Sequence, residues 1–329
     1  MIELQKIFSK YTGYLRSLKL VYVINNLLNW RKLRHNRVYY RKYGLEKTIF
    51  GSVGADDFPK EQPETPWLDQ DNSLQRLKAH PHFSSFSSDI QQQLVQFVED
   101  GYMILRGFYS SEEVESLNKE VDDLLQSGKQ DFNFTQRKVM NAYQNSALID
   151  QKYFRNPKLL EIFEFIMGKK IVPFQTINFI EGSEQRAHSD SIHMTTYPEG
   201  YLIAAWTALE PTSLDNGALF YYPKSHRLPY VTCLDYNAGN TRWRLGQNSY
   251  KKYEEKIDQI IGEGQLEIQH FMAQPGDVLI WHANLLHGGS PILQAGRTRR
   301  SMVAHYFCED VICYHELSQR PAMLDLTAG

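Results

Sequence analysis

Pro275-Gly276-Asp277-Val278-Leu279-Ile280-Trp281, followed three residues later by Leu285-Leu286-His287-Gly288-Gly289-Ser290, is the stretch on which the reading of this chain turns. The run from Asp277 to Trp281 is short and apolar, as expected of a buried strand, and it delivers a histidine just beyond its end. Comparable β-type runs, separated by turns, occupy 172–180, 201–209, 217–222, 266–271 and 301–307. Helices precede them. Ser88-Asp89-Ile90-Gln91 starts one that Asp100-Gly101 breaks, with Tyr102-Met103-Ile104-Leu105 a short strand behind it. Ser110-Ser111-Glu112-Glu113 caps a second, striped by Val114, Leu117, Val121, Leu124 and Leu125, and residues 157–168 give a third, ended at Gly168. Several short strands late in a chain, after helices, predict a mainly β fold: an antiparallel barrel or jelly roll with helical cladding.

The N-terminal quarter has a different texture. Residues 1–50 carry eleven Lys/Arg against two Glu, whereas 51–100 carry nine acids and three bases. Leu15, Leu18, Val21, Ile24 and Leu28 fall at helical spacing, and Arg31, Lys32, Arg34, Arg37, Arg41 and Lys42 follow at once. The expectation is a basic amphipathic arm over 1–50, either docked on the main domain of its own chain or a second subunit, or lying on an anionic membrane surface. Residues 51–88, with Pro59, Pro63, Pro66 and Pro81, read as a long connecting loop, and 89–329 as the main, strand-rich domain.

The 329 residues suffice for one large core or two modest ones, and 42% hydrophobic with 22% charged residues excludes wholesale disorder. A formal charge of −2 argues against nucleic acid as the main partner. The apolar run Leu20-Val21-Tyr22-Val23-Ile24 is far short of the ~20 residues that span a bilayer, and nothing after it resembles a signal-peptide cleavage site. Three cysteines, Cys233, Cys308 and Cys313, form no disulfide framework or zinc motif, so the reducing cytoplasm is the expected compartment.

His188-Ser189-Asp190 sets an imidazole and a carboxylate two residues apart, on one face if the segment is extended. His287, 99 residues on across strand-rich sequence, is the best third ligand. Two histidines and one carboxylate make the facial set that holds Fe(II) with open positions. A basic cluster follows at Arg297, Arg299 and Arg300. A guanidinium there suits the far carboxylate of a dicarboxylate, and alternation lets only one of Arg299 and Arg300 point inward. His282 reads as a packing residue or one that orients a metal-binding imidazole, His226 as a turn-fixing residue, and Trp206 as barrel packing. Lys138 and Arg137 are exposed bases or contacts to an anionic substrate group, and 228–265, with Trp243, is long enough for a lid.

Together these residues resemble the phytanoyl-CoA dioxygenase family of Fe(II)- and 2-oxoglutarate-dependent oxygenases, from about Phe97 to Phe307. Phe97-Val98-Glu99-Asp100-Gly101-Tyr102 with Leu105-Arg106-Gly107-Phe108 is similar to the family's opening helix and strand. Ala187-His188-Ser189-Asp190 resembles its His-x-Asp. Ala205-Trp206-Thr207-Ala208-Leu209-Glu210 and Asn216-Gly217-Ala218-Leu219 resemble its middle strands. Pro223-Lys224-Ser225-His226-Arg227 is similar to its Pro-Gly-Ser-His turn, with Lys224 in place of Gly.

The resemblance implies a double-stranded β-helix (jelly roll, cupin-like) and a dioxygenase that takes 2-oxoglutarate, O2 and a small-molecule substrate, giving succinate and CO2. It implies His188, Asp190 and His287 as iron ligands and Arg299 as the clamp on 2-oxoglutarate, with Arg297 or Arg300 as alternatives, and Gln175 or Asn178 adding a hydrogen bond. Halogenating relatives replace the carboxylate ligand by a small residue; Asp190 is present here, so hydroxylation is implied. The rival readings are a jelly-roll binding protein without turnover and a membrane-recruited enzyme whose basic arm targets a lipid substrate. Neither the substrate nor the oligomeric state is written in the sequence.

Overall fold

The structure is a computed structural model and describes residues 17–133 and 138–324. Leu15 of the arm's stripe and Arg137 lie outside the described residues. In chain order the described helices are α1 (Lys19–Leu28), α2 (Asn36–Lys42), α3 (Ser73–Ala79), α4 (Ser88–Asp100), α5 (Ser111–Gln126), α6 (Pro157–Met167) and α7 (Ser249–Gly264). The strands are β1 (Tyr102–Leu105), β2 (Lys138–Met140), β3 (Ile171–Phe179), β4 (Thr195–Tyr197), β5 (Leu202–Ala208) and β6 (Leu219–Tyr221). They continue with β7 (Gln269–Phe271), β8 (Val278–His282), β9 (His287–Gly289), β10 (Ser301–Cys308), β11 (Ile312–His315) and β12 (Arg320–Pro321).

The helix ends follow their local chemistry. Ser87 caps α4, and Gly101 ends it in the left-handed region at φ 84°. A Cβ there would come within 2.4 Å of the His226 ring, so both backbone and space require glycine. Ser110 and Glu113 form a reciprocal capping box on α5. Asn156 caps α6, which Gly168 ends.

A six-stranded antiparallel sheet, in the order β1-β8-β5-β10-β3-β2, forms the floor of the molecule. Two three-stranded sheets, β7-β6-β9 and β12-β11-β4, complete the roll. Strand alternation separates the two faces of the floor. One row of paired residues, Ile104, Leu279, Trp206, Val303, Ile177 and Met140, crosses all six strands on the inner face. Residues between them in sequence, such as Ile203, Ala205, Ile280, Met302, Ala304 and Tyr306, face outward. There Leu94, Phe97, Val114, Leu117, Val121, Ile162, Phe163 and Ile166 of α4, α5 and α6 cover them in one apolar core. Sheet and cladding thus match the expectation of a mainly β fold with helices.

Two segments are more ordered than their composition suggested. The stretch 51–88, expected as a loop, contains α3 and short 3-10 turns at Ala55–Asp57, Trp67–Asp69 and Pro81–Ser85. Buried Val53, Leu68 and Leu77 pin it, and Trp67 Nε1 donates to the Phe165 carbonyl at 3.0 Å. The end of 228–265 is the helix α7, with Tyr253 and Ile257 buried one turn apart.

The arm, over its described part, docks on its own chain. Leu33, Tyr40, Ile49 and Val53 share a core with Tyr197, Ile312 and Tyr314 of β4 and β11. The Tyr43 hydroxyl donates to the Asp310 carbonyl at 2.6 Å, and Asn26 Nδ2 to that of Phe50 at 3.0 Å.

Candidate metal centre

Both predicted histidines are fixed by one backbone pair. His188 N–H donates to the His287 carbonyl at 3.0 Å, and His287 N–H returns the bond at 2.9 Å. Such a reciprocally bonded antiparallel pair sets two side chains next to each other, and the ring centroids are 4.6 Å apart. His188 sits in the bridge and Ser189 is still extended, at φ −100° and ψ 150°; the 3-10 turn Asp190–Ile192 begins only at the second ligand. The His-x-Asp pair therefore converges as the i, i+2 spacing of extended backbone expects, and the turn follows it. The ligand atoms of His188, Asp190 and His287 all lie within 4.8 Å of one another, and all three residues are buried. This is the arrangement a single small cation needs.

The orientation of each group follows from its other contacts. His188 Nδ1 lies 2.8 Å from the Arg186 carbonyl and His287 Nδ1 lies 2.9 Å from that of Leu285. Each Nδ1 carries the proton and donates, leaving Nε2 with a lone pair. Gln185 Nε2, at 3.1 Å from His188 Nε2 and from the Tyr250 hydroxyl, fits the same tautomer. Burial, and then the neighbouring His287 and His193, hold His188 well below the ordinary histidine range, so the imidazole is neutral.

Asp190 is held by the floor of the roll. Trp281, Ala204, His305 and Gln175 are paired across four strands in the row next to the apolar one. The small Ala204 separates the two larger rings. Trp281 Nε1 donates to Asp190 Oδ2 at 2.8 Å, and His305 Nε2 is 3.5 Å from the same oxygen. Oδ1 lies 3.6 Å from His287 Nε2. Burial alone would raise this carboxyl; His287 and His305, the latter also by a hydrogen bond, outweigh it and hold it below the usual carboxylate range. Asp190 is an anion.

The cluster opens into a cavity of about 740 Å³. At the far end of the same inner face stands Arg299. Its N–H donates to the Ile180 carbonyl at 3.1 Å, and its residue is 1% exposed. The guanidinium lies 5.4 Å from the Trp206 ring and 5.9 Å from that of Phe179. Its Nε and Nη1 have no hydrogen-bond partner among the described residues. Burial lowers it to about 10, so it remains a cation at neutral pH. Arg300, one residue on, faces the other way and pairs with Asp122, and Arg297 is exposed. Alternation in the chain leading into β10 separates Arg299 from Arg300, and exposure sets Arg297 apart. Gln175, Ile177 and Phe179 of β3 line the cavity as well; Asn178, between them, is turned to the helical side, and the hydrogen bond expected of either Gln175 or Asn178 can come only from Gln175.

His282 lies on the outer face of β8, where Asp69 accepts from its Nε2 at 3.1 Å, away from the metal histidines. His226 packs on it at 5.5 Å. Trp206 is buried packing that also forms a wall of the cavity beneath Arg299. The sequence reading did not anticipate the support of Asp190 by Trp281 and His305, the roles of Gln185 and Tyr250, or the cavity wall made by Asn25, Asn29 and Lys32 of the arm. Lys138 also lines the cavity, its ammonium 5.6 Å from the Phe179 ring.

Residues 97–301 match the protein family described as phytanoyl-CoA dioxygenase (PhyH). The peroxisomal phytanoyl-CoA dioxygenase of Rattus norvegicus is 22% identical over 239 residues, 65% of this chain and 67% of that protein. The ectoine dioxygenase of Sphingopyxis alaskensis is 24% identical over 231 residues, 64% of this chain and 74% of that one. Among solved structures, the 2-oxoglutarate-dependent epimerase SnoN of nogalamycin biosynthesis superposes with a TM-score of 0.54 at 17% identity, covering 70% of this chain and 86% of its own. Iron-bound EctD from S. alaskensis gives 0.52 at 20%, covering 68% and 77%. These structural likenesses are of fold, a jelly roll. With its His-Asp-His cluster and a family match over well more than half its length, the chain belongs to the phytanoyl-CoA dioxygenase family, iron- and 2-oxoglutarate-dependent dioxygenases.

Proposed function

We propose that this chain hydroxylates an unactivated C–H bond of a small molecule, with 2-oxoglutarate and O2 as co-substrates. His188 Nε2, His287 Nε2 and Asp190 Oδ1 would hold the iron, and Arg299 the far carboxylate of 2-oxoglutarate. The fit is chemical. Two imidazoles and one carboxylate suit Fe(II) and leave positions open on one side. Iron bound there supplies, with 2-oxoglutarate and O2, the oxidising power for attack on carbon, with succinate and CO2 as co-products.

The protein's own groups do the positioning. Trp281 and His305 keep Asp190 Oδ2 engaged, so that Oδ1 is the oxygen turned to the histidines. Trp206 and Phe179 keep water from the Arg299 guanidinium, and Gln175 offers an amide nearby. The observation that carries the reading is Arg299: a buried cation with unpartnered Nε and Nη1, in the same cavity as the His-Asp-His cluster. An unpaired buried guanidinium is costly and implies an anion that completes it. A cavity of about 740 Å³ is of the size that encloses a small molecule. Cys233, Cys308 and Cys313 are free and buried, which favours the reducing cytoplasm.

The test is succinate release from 2-oxoglutarate by the iron-loaded protein, with and without O2. Oxygen-dependent succinate, absent in Asp190→Ala, is the expected result. A protein that binds iron and 2-oxoglutarate yet releases no succinate above background, with any small molecule offered, is a binding protein and ends the proposal.

A further inference from the structure

The described part of the arm has two unlike faces. Tyr22, Asn26 and Asn29 face inward: the Arg320 guanidinium lies 5.0 Å from the Tyr22 ring, Asn26 is buried, and Asn29 lines the cavity with Asn25 and Lys32. The opposite face of α1 presents Leu20, Ile24, Leu27 and Leu28, at spacings of four, three and one. Leu20 is 60% exposed, Ile24 52% and Leu28 79%. Trp30 and Val38 continue the exposed apolar surface. Among the described residues nothing covers this stripe, and a contiguous apolar surface of this kind marks an interaction site.

The charge around the stripe identifies what it meets. From 17 to 45 the chain holds seven Lys/Arg and not one Asp or Glu. Arg31, Arg34, Arg37, Arg41 and Lys42 are all exposed. The Arg31 and Arg34 guanidiniums lie 5.9 and 5.7 Å from the Trp30 ring, joining the basic and apolar parts into one surface. An apolar stripe with an indole at its edge and arginines beside it is the chemistry of an anionic lipid interface, where acyl chains accept the leucines and headgroups the arginines. No helix among the described residues is long and apolar enough to cross a bilayer, so the contact is with the surface.

We infer that the outward face of α1, with Trp30 and the exposed basic residues from Arg31 to Lys42, docks the protein on an anionic lipid bilayer. Asn25 of the same helix and Asn29 just past its end line the cavity, so docking holds that wall of the cavity beside the membrane. This inference stands independently of the reaction proposed above.

The experiment is co-sedimentation of the full chain with phosphatidylcholine vesicles, with and without about a third phosphatidylserine. The protein is expected to pellet with the anionic vesicles only, and to be released by raised salt. The double variants Ile24→Glu/Leu28→Glu and Arg34→Glu/Arg37→Glu are each expected to lose about tenfold or more in partitioning. Unchanged melting temperature and elution volume would show that the fold of both variants is intact. Failure to pellet with anionic vesicles, equal binding to neutral ones, or undiminished binding by both folded variants overturns the inference. So does a dimer in solution that Ile24→Glu dissolves without any vesicle binding, since a second copy would then cover the stripe.

Discussion

The two ends of the cavity are built on opposite principles. At the metal end, the groups that do not face the centre of the cluster are spoken for: both Nδ1 atoms by backbone carbonyls, Asp190 Oδ2 by Trp281 and His305. At the other end, Arg299 is buried with Nε and Nη1 unpartnered. The first end orients its ligands before anything binds, and the second leaves its charge for a ligand to complete. In charge the ends are opposite too, one carboxylate against one guanidinium. A dication at the first and a dicarboxylate reaching the second add no net charge to the buried site. Each guest therefore strengthens the binding of the other, since either charged guest alone leaves the cavity charged.

The strongest way to break the comparison is Asp190→Ala. It removes the cluster's one carboxylate and strands Trp281 Nε1. Anaerobic Fe(II) titration should show affinity lower by at least about a hundredfold, beyond the loss seen when only an outer partner of a ligand is removed. Turnover should vanish. Near-normal iron affinity would mean that the cluster is not the metal centre. Arg299→Ala comes next. A charge-assisted hydrogen bond in a buried site contributes about 1.5–3 kcal/mol, so the KM for 2-oxoglutarate should rise by about ten- to a hundredfold. Fe(II) affinity in the absence of 2-oxoglutarate should hold, because the two ends are built separately. Exposed Arg297→Ala should leave that KM unchanged; if Arg297→Ala raises it and Arg299→Ala does not, the assignment of Arg299 is wrong.

How much of this could be read from the chain differs between the two ends for a physical reason. That Arg299 and Arg300 face opposite ways was legible, because alternation is a property of one segment; which of them faces the cavity, and that Arg297 is exposed, was not. His188, Asp190 and His287 were legible because their side chains carry the chemistry themselves. The bracing of Asp190 was not legible. Trp281, Ala204 and His305 meet only through the register of β8, β5 and β10, and register is a relation between segments some hundred residues apart. For His282 the sequence left packing and support of a metal-binding imidazole open for a related reason; one residue past Trp281 on a strand is the opposite face, and packing is what it does there. The arm's place at the cavity wall and the helix α7 depend on packing against the roll; their own patterns held only helical spacing and length.

That difference makes Trp281→Phe informative. An aromatic ring is kept, though smaller by three heavy atoms, and the hydrogen bond to Asp190 is lost. Iron affinity should fall by about ten- to a hundredfold, the range for an outer partner of a ligand. The 2-oxoglutarate KM, measured at saturating iron, should barely move. A matching rise in KM would show the two ends to be coupled through the floor of the roll.

The smallest expected effect comes from the roof. The Tyr253 hydroxyl, on α7, accepts from the Ser189 N–H at 2.9 Å and lies 3.2 Å from Ser189 Oγ, the residue between the two ligands. Tyr253 itself is fully buried, so phenylalanine fills the same space and removes only the oxygen. Ser189 Oγ retains the Ser191 hydroxyl at 2.6 Å, but its N–H then has no partner in a dry site. The cost in stability is about 1–3 kcal/mol, read as a lower melting temperature. The bridge between His188 and His287 does not depend on that bond, so the iron affinity of Tyr253→Phe should change by no more than a few-fold. A loss as large as that of Trp281→Phe would mean that α7, and not the strand bridge alone, sets the spacing of His188 and Asp190. The metal end would then be built from the roof as well as the floor, and its preorganisation would depend on the closure of a segment that carries no ligand.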